Sequence, residues 1–218
     1  CIAKKYEADV PQVSSASEKD VDIVLTTREI CRMLRSGGLD FAKIQESEFD
    51  APLGLGTGAG VIFGTSGGVM EAALRSAHYL ITGENPDADK FSAVRGMDGW
   101  KERTVQVGDA TLNVAVTNGL ANARRLIEAI KAGKVSYDFV EIMACPGGCV
   151  GGGGQPIRDG QELAAERSKT LRNLDSASVI RFSHENPFIK TVYEEYLEKP
   201  NSHIAHELLH TSHQEWDI

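Results

Sequence analysis

The sequence predicts an α/β fold, a mostly parallel sheet flanked by helices. Two observations carry that expectation: strand-like runs alternate with amphipathic helical runs, and the helical runs open and close on local capping signals. Residues 1–9 mix Lys, Glu and Ala and predict a short helix, broken by Pro11 and the Ser-rich stretch from Ser14 to Ser17. Residues 22–25 (Asp-Ile-Val-Leu) read as a short strand. Thr26 then opens a helix, with Glu29 completing a capping box and Ile30, Met33 and Leu34 as its apolar face. Cys31 lies in this helix and is read as a buried small residue. Residues 51–68 are glycine-rich. A helix is expected over 69–81, stopped at Gly83, and a polar loop over 84–90. Strands are expected over 104–107 and 112–116, joined by a turn at Gly108 and Asp109. Asn118 reads as the cap of a further helix with Leu120, Ala123, Leu126, Ile127 and Ile130 inward, ended by Gly133. A buried strand is expected over 139–143. Helices follow over 162–174, from Asn186 as cap with Pro187 at its first position, and over 203–211.

Bulk properties narrow the function classes. With 218 residues, 41% hydrophobic and 25% charged, the chain is long enough for a sizeable core without disulfide staples. A formal net charge of -8 opposes binding to nucleic acid and to anionic membranes. No apolar run approaches the ~20 residues that span a bilayer. The chain opens at Cys1 without an initiating Met, which gives the expectation of a fragment, a processed subunit, or part of something longer. Of the four cysteines, Cys1, Cys31, Cys145 and Cys149, two sit in one glycine-rich loop, so metal or redox chemistry is favoured over a staple.

That loop is Glu141-Ile142-Met143-Ala144-Cys145-Pro146-Gly147-Gly148-Cys149-Val150, followed by four glycines and Gln155-Pro156. Two thiols lie four residues apart at the end of a strand. Proline and glycine between them forbid a regular helix and let the backbone wrap a bulky group. Exposed N–H groups of successive glycines can approach an anion or a cluster sulfur. Three readings remain open. A structural zinc site needs four ligands and favours Cys-x2-Cys. A reducible pair favours Cys-x-x-Cys. An iron–sulfur cluster draws thiolates from distant segments, and Cys1 offers a remote third; this reading fits best.

Two further patterns have ordinary explanations. His206-Glu207-Leu208-Leu209-His210 matches His-Glu-x-x-His but reads as a docking C-terminal helix, with His203 and His213 adding only adventitious metal affinity. The run Gly54-Leu55-Gly56-Thr57-Gly58-Ala59 matches a dinucleotide fingerprint without a preceding strand, and reads as a glycine-rich wall facing a cofactor. Glu7 is expected to cap or to pair with a neighbouring lysine.

Beyond these residue-level readings, the string from Met143 to Pro156 resembles the third cysteine motif of the [FeFe]-hydrogenases. Cys1-Ile2-Ala3-Lys4-Lys5-Tyr6-Glu7-Ala8 is similar to their second motif from its cysteine onward. Thr57 to Gly64, with Gly67 to Ala73, is similar to the segment between the two, and residues 206–210 to the family's C-terminal tail. The resemblance implies one lobe of a two-lobed catalytic domain: residues 1–218 as the C-terminal portion of the H-cluster domain, beginning at its second cysteine motif, with 200–218 as a helical tail. It implies reversible reduction of protons to dihydrogen.

The cofactor implied is the H-cluster, a [4Fe–4S] cluster joined to a two-iron subsite that carries CO, cyanide and a bridging dithiolate. By motif position, Cys1 and Cys145 would be cubane ligands and Cys149 the ligand that bridges to the two-iron unit. Lys4 would lie beside a cyanide, and Met143 and Phe63 would line the pocket. The family's first motif, Thr-Ser-Cys-Cys-Pro, does not occur in these 218 residues. The expected partners are therefore an upstream segment or companion chain carrying it, a ferredoxin-like electron carrier and maturation proteins, with no nucleic acid and no membrane insertion. The expected location is cytoplasmic, with the periplasm as alternative. The alternative functions are a hydrogenase-like protein of iron–sulfur cluster assembly and a hydrogen-sensing relative without high turnover.

Overall fold

A computed structural model describes residues 1–13, 19–51 and 53–211. The Ser14–Ser17 break, Pro52 in the glycine-rich run, His213 and the last seven residues of the expected tail lie outside the described residues. In chain order the elements are α1 (Ile2–Glu7), α2 (Thr27–Ser36), α3 (Gly58–Ile62), α4 (Gly68–Thr82), β1 (Trp100–Val107), β2 (Ala110–Asn118), α5 (Leu120–Lys131), β3 (Phe139–Met143), α6 (Ala164–Ala177), α7 (Pro187–Val192) and α8 (His203–Leu209). A π-helical turn, Tyr193–Leu197, follows α7. The chain divides into two compact units. The first holds Cys1–Gly54, Gly153–Gln155 and Pro187–Ile218; the second holds Leu55–Gly152 and Pro156–Asn186.

In the first unit the capping box at Thr26 forms as expected. Thr26 Oγ1 accepts from the Glu29 N–H, and the Glu29 carboxylate accepts from the Thr26 N–H at 2.8 Å. That backbone donor, then Lys5 and the Thr26 hydroxyl, hold the Glu29 carboxyl at about 2, well below the usual range. The Lys5–Glu29 pair at 3.0 Å joins α1 to α2. The expected strand over 22–25 does not form: the segment is irregular. No partner strand is present among the described residues of this unit, and a lone run of β-formers has nothing to complete its ladder. Cys31 is half-buried, not buried. The apolar face of α2 is open too, because Ile30 and Met33 are exposed.

The second unit carries the sheet, ordered β1-β2-β3. The α/β class stands, and the sheet is mixed rather than mostly parallel. β1 and β2 form an antiparallel hairpin, closed at Gly108-Asp109 with Val107 opposite Ala110, since a connection that short permits no other direction. β2 and β3 are parallel, with α5 as the connection between them and Asn118 opposite Met143 in the register. The core sits between α4 and the sheet: Met70, Leu74, Phe91, Val94, Val107, Val114 and Val116. α4 ends at Gly83 in a left-handed cap, as expected. On α5 only Ala123 and Leu126 of the expected inner face are buried; Leu120, Ile127 and Ile130 are exposed. Part of the glycine-rich run winds into α3, with Thr57 as its cap.

Buried charges bind the helices of this unit together. Arg75, wholly buried on α4, donates to both oxygens of Asp175 on α6 (3.0 and 2.8 Å) and to Glu71 one turn earlier (2.7 Å). Arg95 donates to Glu71 and to Asp89, and Arg181 to Asp175 and Asp89. Arg172 completes the ring, 3.4 Å from Glu71. Four guanidinium groups thus surround three carboxylates.

Candidate functional site

The cysteine loop leaves the end of β3 in the second unit and is held in place by that unit's backbone. Strand β3 lies where expected, but it is not a buried apolar strand: Phe139 and Ile142 are exposed, and the buried residue is Glu141. Its carboxylate accepts from the Gly67 N–H at 2.6 Å and the Met70 N–H at 2.7 Å. These are the orphan donors of α4, whose N-terminus has glycine as its cap residue and no capping side chain of its own. Burial pushes the Glu141 carboxyl above its ordinary range, while those N–H groups, that of Val69 and the Arg172 charge pull the other way.

Beyond Met143 the chain turns through Cys145 to Cys149 and docks on the turn between α3 and α4. The Ser66 N–H donates to the Gly147 carbonyl at 3.0 Å, and the Val150 N–H to the Gly64 carbonyl at 3.0 Å. The loop closes on itself through the Gly148 N–H and the Cys145 carbonyl, also 3.0 Å. Gly148, at φ 95° and ψ −165°, lies flat against this turn. A Cβ there would stand 2.7 Å from the Ser66 nitrogen and 2.9 Å from the Thr65 carbonyl carbon. Met97 packs on Gly147 where a side chain would stand.

The structure brings four of the six expected site residues into this unit. Cys145 is half-buried and Cys149 exposed, and no disulfide joins any of the four cysteines. Met143 is the last, half-buried residue of β3. Phe63 closes α3, partly exposed, next to the Gly64 that receives the loop. Cys1 and Lys4 belong to the first unit. Cys1 stands at the N-cap of α1, and its side chain makes no capping bond. Lys4 is 60% exposed and pairs with Glu7, the partner expected for that glutamate. In the same unit the Ile2 N–H donates to the Gly153 carbonyl at 3.0 Å, the Arg28 N–H to that of Gly154 at 3.2 Å, and Arg28 Nε to that of Gln155 at 2.9 Å.

Other candidates recede. On α8, His206 and His210 have ring centroids 4.4 Å apart. His210 is the C-cap, outside the helix, and the helix is capped by Ser202 in the ordinary way. Among the described residues, Glu71, Asp89 and Asp175 gather carboxylate oxygens as a cation site would, but the four arginines already neutralise them.

Sequence reasoning missed two residues of the loop's support. Asn118 is not a helix cap; Gly119 stands at that position. Asn118 ends β2, and its Oδ1 accepts from the Gly147 N–H at 2.9 Å. Glu141 passed as one more strand residue, although a carboxylate in the run Phe-Val-Glu-Ile-Met was a visible anomaly.

Comparison with known families settles the relationship. The profile described as iron only hydrogenase large subunit, C-terminal domain, matches residues 1–153, and that of the iron hydrogenase small subunit matches residues 161–216. The chain belongs to the iron-only hydrogenases. It is 50% identical over 212 residues to the NADP-reducing hydrogenase subunit HndD of Solidesulfovibrio fructosivorans, covering 97% of this chain and 36% of that protein. It is 49% identical over 170 residues to the periplasmic [Fe] hydrogenase large subunit of Nitratidesulfovibrio vulgaris, covering 78% of this chain and 40% of that one. A solved structure of the [FeFe]-hydrogenase HydA1 of Chlamydomonas reinhardtii, a glutamate-to-alanine variant, matches with a TM-score of 0.76 at 42% identity, over 97% of this chain and 60% of that one. More distant is a cytosolic Fe-S cluster assembly factor of Xenopus tropicalis, 32% identical over 98% of this chain and 46% of that protein. The iron-only hydrogenase chain described here thus spans less than half the length of these curated relatives.

Proposed function

We propose that this chain is the C-terminal portion of the catalytic domain of a hydrogenase that interconverts protons and dihydrogen at an H-cluster. One observation carries the proposal: the loop bearing Cys145 and Cys149 is fixed by backbone bonds to a neighbouring turn, with neither thiol consumed in a disulfide. Soft thiolate donors on a fixed glycine-rich loop suit an iron–sulfur cluster. Cys1 and Cys145 would hold the cubane, and Cys149 would hold it and bridge to the two-iron unit. When bound, that group supplies the redox chemistry joining protons and electrons. Met143 and Phe63 would keep water from its pocket, and Lys4, released from Glu7, would offer an ammonium to an anionic ligand.

A cubane takes four thiolates, one more than Cys1, Cys145 and Cys149 would supply. The first unit is compatible with that reading: it leaves apolar side chains uncovered, Ile23 at 75% and Phe49 at 87% exposure, a surface that another segment would cover. We assign it to the upstream segment or companion chain with the first cysteine motif. A ferredoxin-like carrier and maturation proteins complete the proposed partners. No helix among the described residues is long and apolar enough to cross a membrane. The proposed compartment is the cytoplasm, with the periplasm, named for one relative, as the alternative.

The test is Cys149→Ala in the complete matured enzyme. Turnover and the infrared bands of iron-bound CO and cyanide should both vanish, and a variant that keeps turning over hydrogen refutes the assignment. If the wild-type protein lacks those bands after maturation, the assembly role becomes the better reading.

A further inference from the structure

Asn118 is 3% exposed at the end of the central strand, and each polar group of its carboxamide is engaged. Oδ1 accepts from the Gly147 N–H at 2.9 Å. Nδ2 donates to Ser66 Oγ at 3.1 Å and to the Asp98 carbonyl at 2.9 Å. Ser66 in turn donates its own N–H to the Gly147 carbonyl. Both backbone groups of the residue midway between Cys145 and Cys149 are therefore gripped from one hub.

The hub itself is fixed. The Asn118 N–H donates to the Gly99 carbonyl at 3.0 Å, and its carbonyl accepts from Asn122 Nδ2 at 2.7 Å. Next to it the Gly119 N–H donates to the Met143 carbonyl at 2.9 Å. Only a side chain with one acceptor and two donors on the same planar group meets all three neighbours. Aspartate keeps the acceptor, loses both donors and places a charge against the Asp98 carbonyl; leucine keeps nothing.

From this geometry we infer that Asn118 is a positioning residue for the two-cysteine loop, setting the spacing of the Cys145 and Cys149 thiols before any cluster arrives. The inference rests on the proposed reading of those thiols as cluster ligands. Asn118 acts through the Gly147 peptide and touches no metal. Groups that orient a ligand from behind typically change metal affinity by about 10–100-fold when removed.

The experiment uses the complete matured hydrogenase with Asn118→Asp and Asn118→Leu, and Val107→Ala as control. Val107 is a buried core residue at the hairpin end of β1, opposite Ala110, so truncating it lowers stability at the far end of the sheet. Two quantities are read well below the melting temperature: the rate of iron release to a chelator, and the electron paramagnetic resonance spectrum of the reduced cluster. Release is expected to accelerate about tenfold or more in both Asn118 variants, with shifted resonances, while Val107→Ala changes neither. Wild-type release and spectrum in the Asn118 variants overturn the inference. So does a control that reproduces their changes at equal loss of stability. If the Asn118 variants fail to fold, Ser66→Ala removes the hydroxyl that holds Nδ2 and is expected to move both quantities in the same direction; no movement there overturns the inference. Cys145→Ser is run alongside, and undiminished cluster binding in it sinks the ligand assignment itself.

Discussion

Gly148→Ala isolates how much the cysteine loop depends on its close approach to the turn before α4. The native backbone at φ 95° and ψ −165° is a conformation only glycine adopts readily, and costs another residue about 1–3 kcal/mol. The added methyl would also stand 2.7 Å from the Ser66 nitrogen and 3.0 Å from the Gly64 carbonyl oxygen. These are backbone atoms, so the loop has to lift. Lifting it parts the Ser66–Gly147 and Val150–Gly64 hydrogen bonds, each worth about 1 kcal/mol net. The total is about 3–5 kcal/mol. Gly160→Ala is the matched comparison: its φ is +75°, but nothing lies within 4 Å of the new methyl, so only the left-handed strain of about 1–2 kcal/mol applies. At about 2–4 °C per kcal/mol for a cooperative unit of about 150–250 residues, scanning calorimetry of the complete enzyme should show the transition that carries this loop drop by about 6–20 °C for Gly148→Ala. The drop for Gly160→Ala should be about 2–8 °C, and only Gly148→Ala should lose iron on purification. Equal melting temperatures and equal iron contents would refute the reasoning.

Three further outcomes follow from the charges and caps. Arg75→Met leaves Glu71 and Asp175 to the remaining arginines, so the loss should fall near the lower end for a broken buried pair, about 3 kcal/mol; urea unfolding that shows less than about 1 kcal/mol contradicts the network's role. Arg181 and then Arg95 pull the Asp89 carboxyl down to about 2. A group whose folded value lies below its unfolded value of about 3.9 stabilises above the unfolded value and loses that effect as pH falls through the folded one. The stability gap between wild type and Asp89→Asn should therefore be full above about pH 4 and close toward pH 2; a gap independent of pH would contradict this. Thr26→Ala should cost about 1 kcal/mol at the start of α2, read as about fivefold faster amide exchange along that helix; unchanged exchange would contradict the cap.

What was legible in the sequence was local. The Thr26–Glu29 box, the Gly83 stop and the Gly108-Asp109 turn each depend on neighbours within a few residues, and each formed where expected. The cysteine string marked the loop because proline, glycine and thiols serve one stretch of backbone. Long-range partners left no local trace. Asn118 followed by glycine and a helix has the signature of a cap, yet its amide is used 29 residues away at Gly147. Glu141 sits in an apolar strand pattern, and its donors come from a helix more than seventy residues earlier. The run 22–25 has strand composition and, among the described residues, no strand beside it. Composition reports what a segment prefers, and only the tertiary fold supplies what it pairs with.

The arginine–carboxylate ring also orders events during synthesis. Arg75 emerges a hundred residues before Asp175, its bidentate partner. Until that aspartate arrives, the guanidinium has only Glu71, which Arg95 and Arg172 share, so sealing the group from water would leave positive charge in excess. Cys145 and Cys149 are translated inside that interval, so the nascent thiols exist before the unit that aims them can close. Closure of the unit thus waits for Asp175, and a ribosome stalled between residues 149 and 175 would present both thiols on an unfinished scaffold.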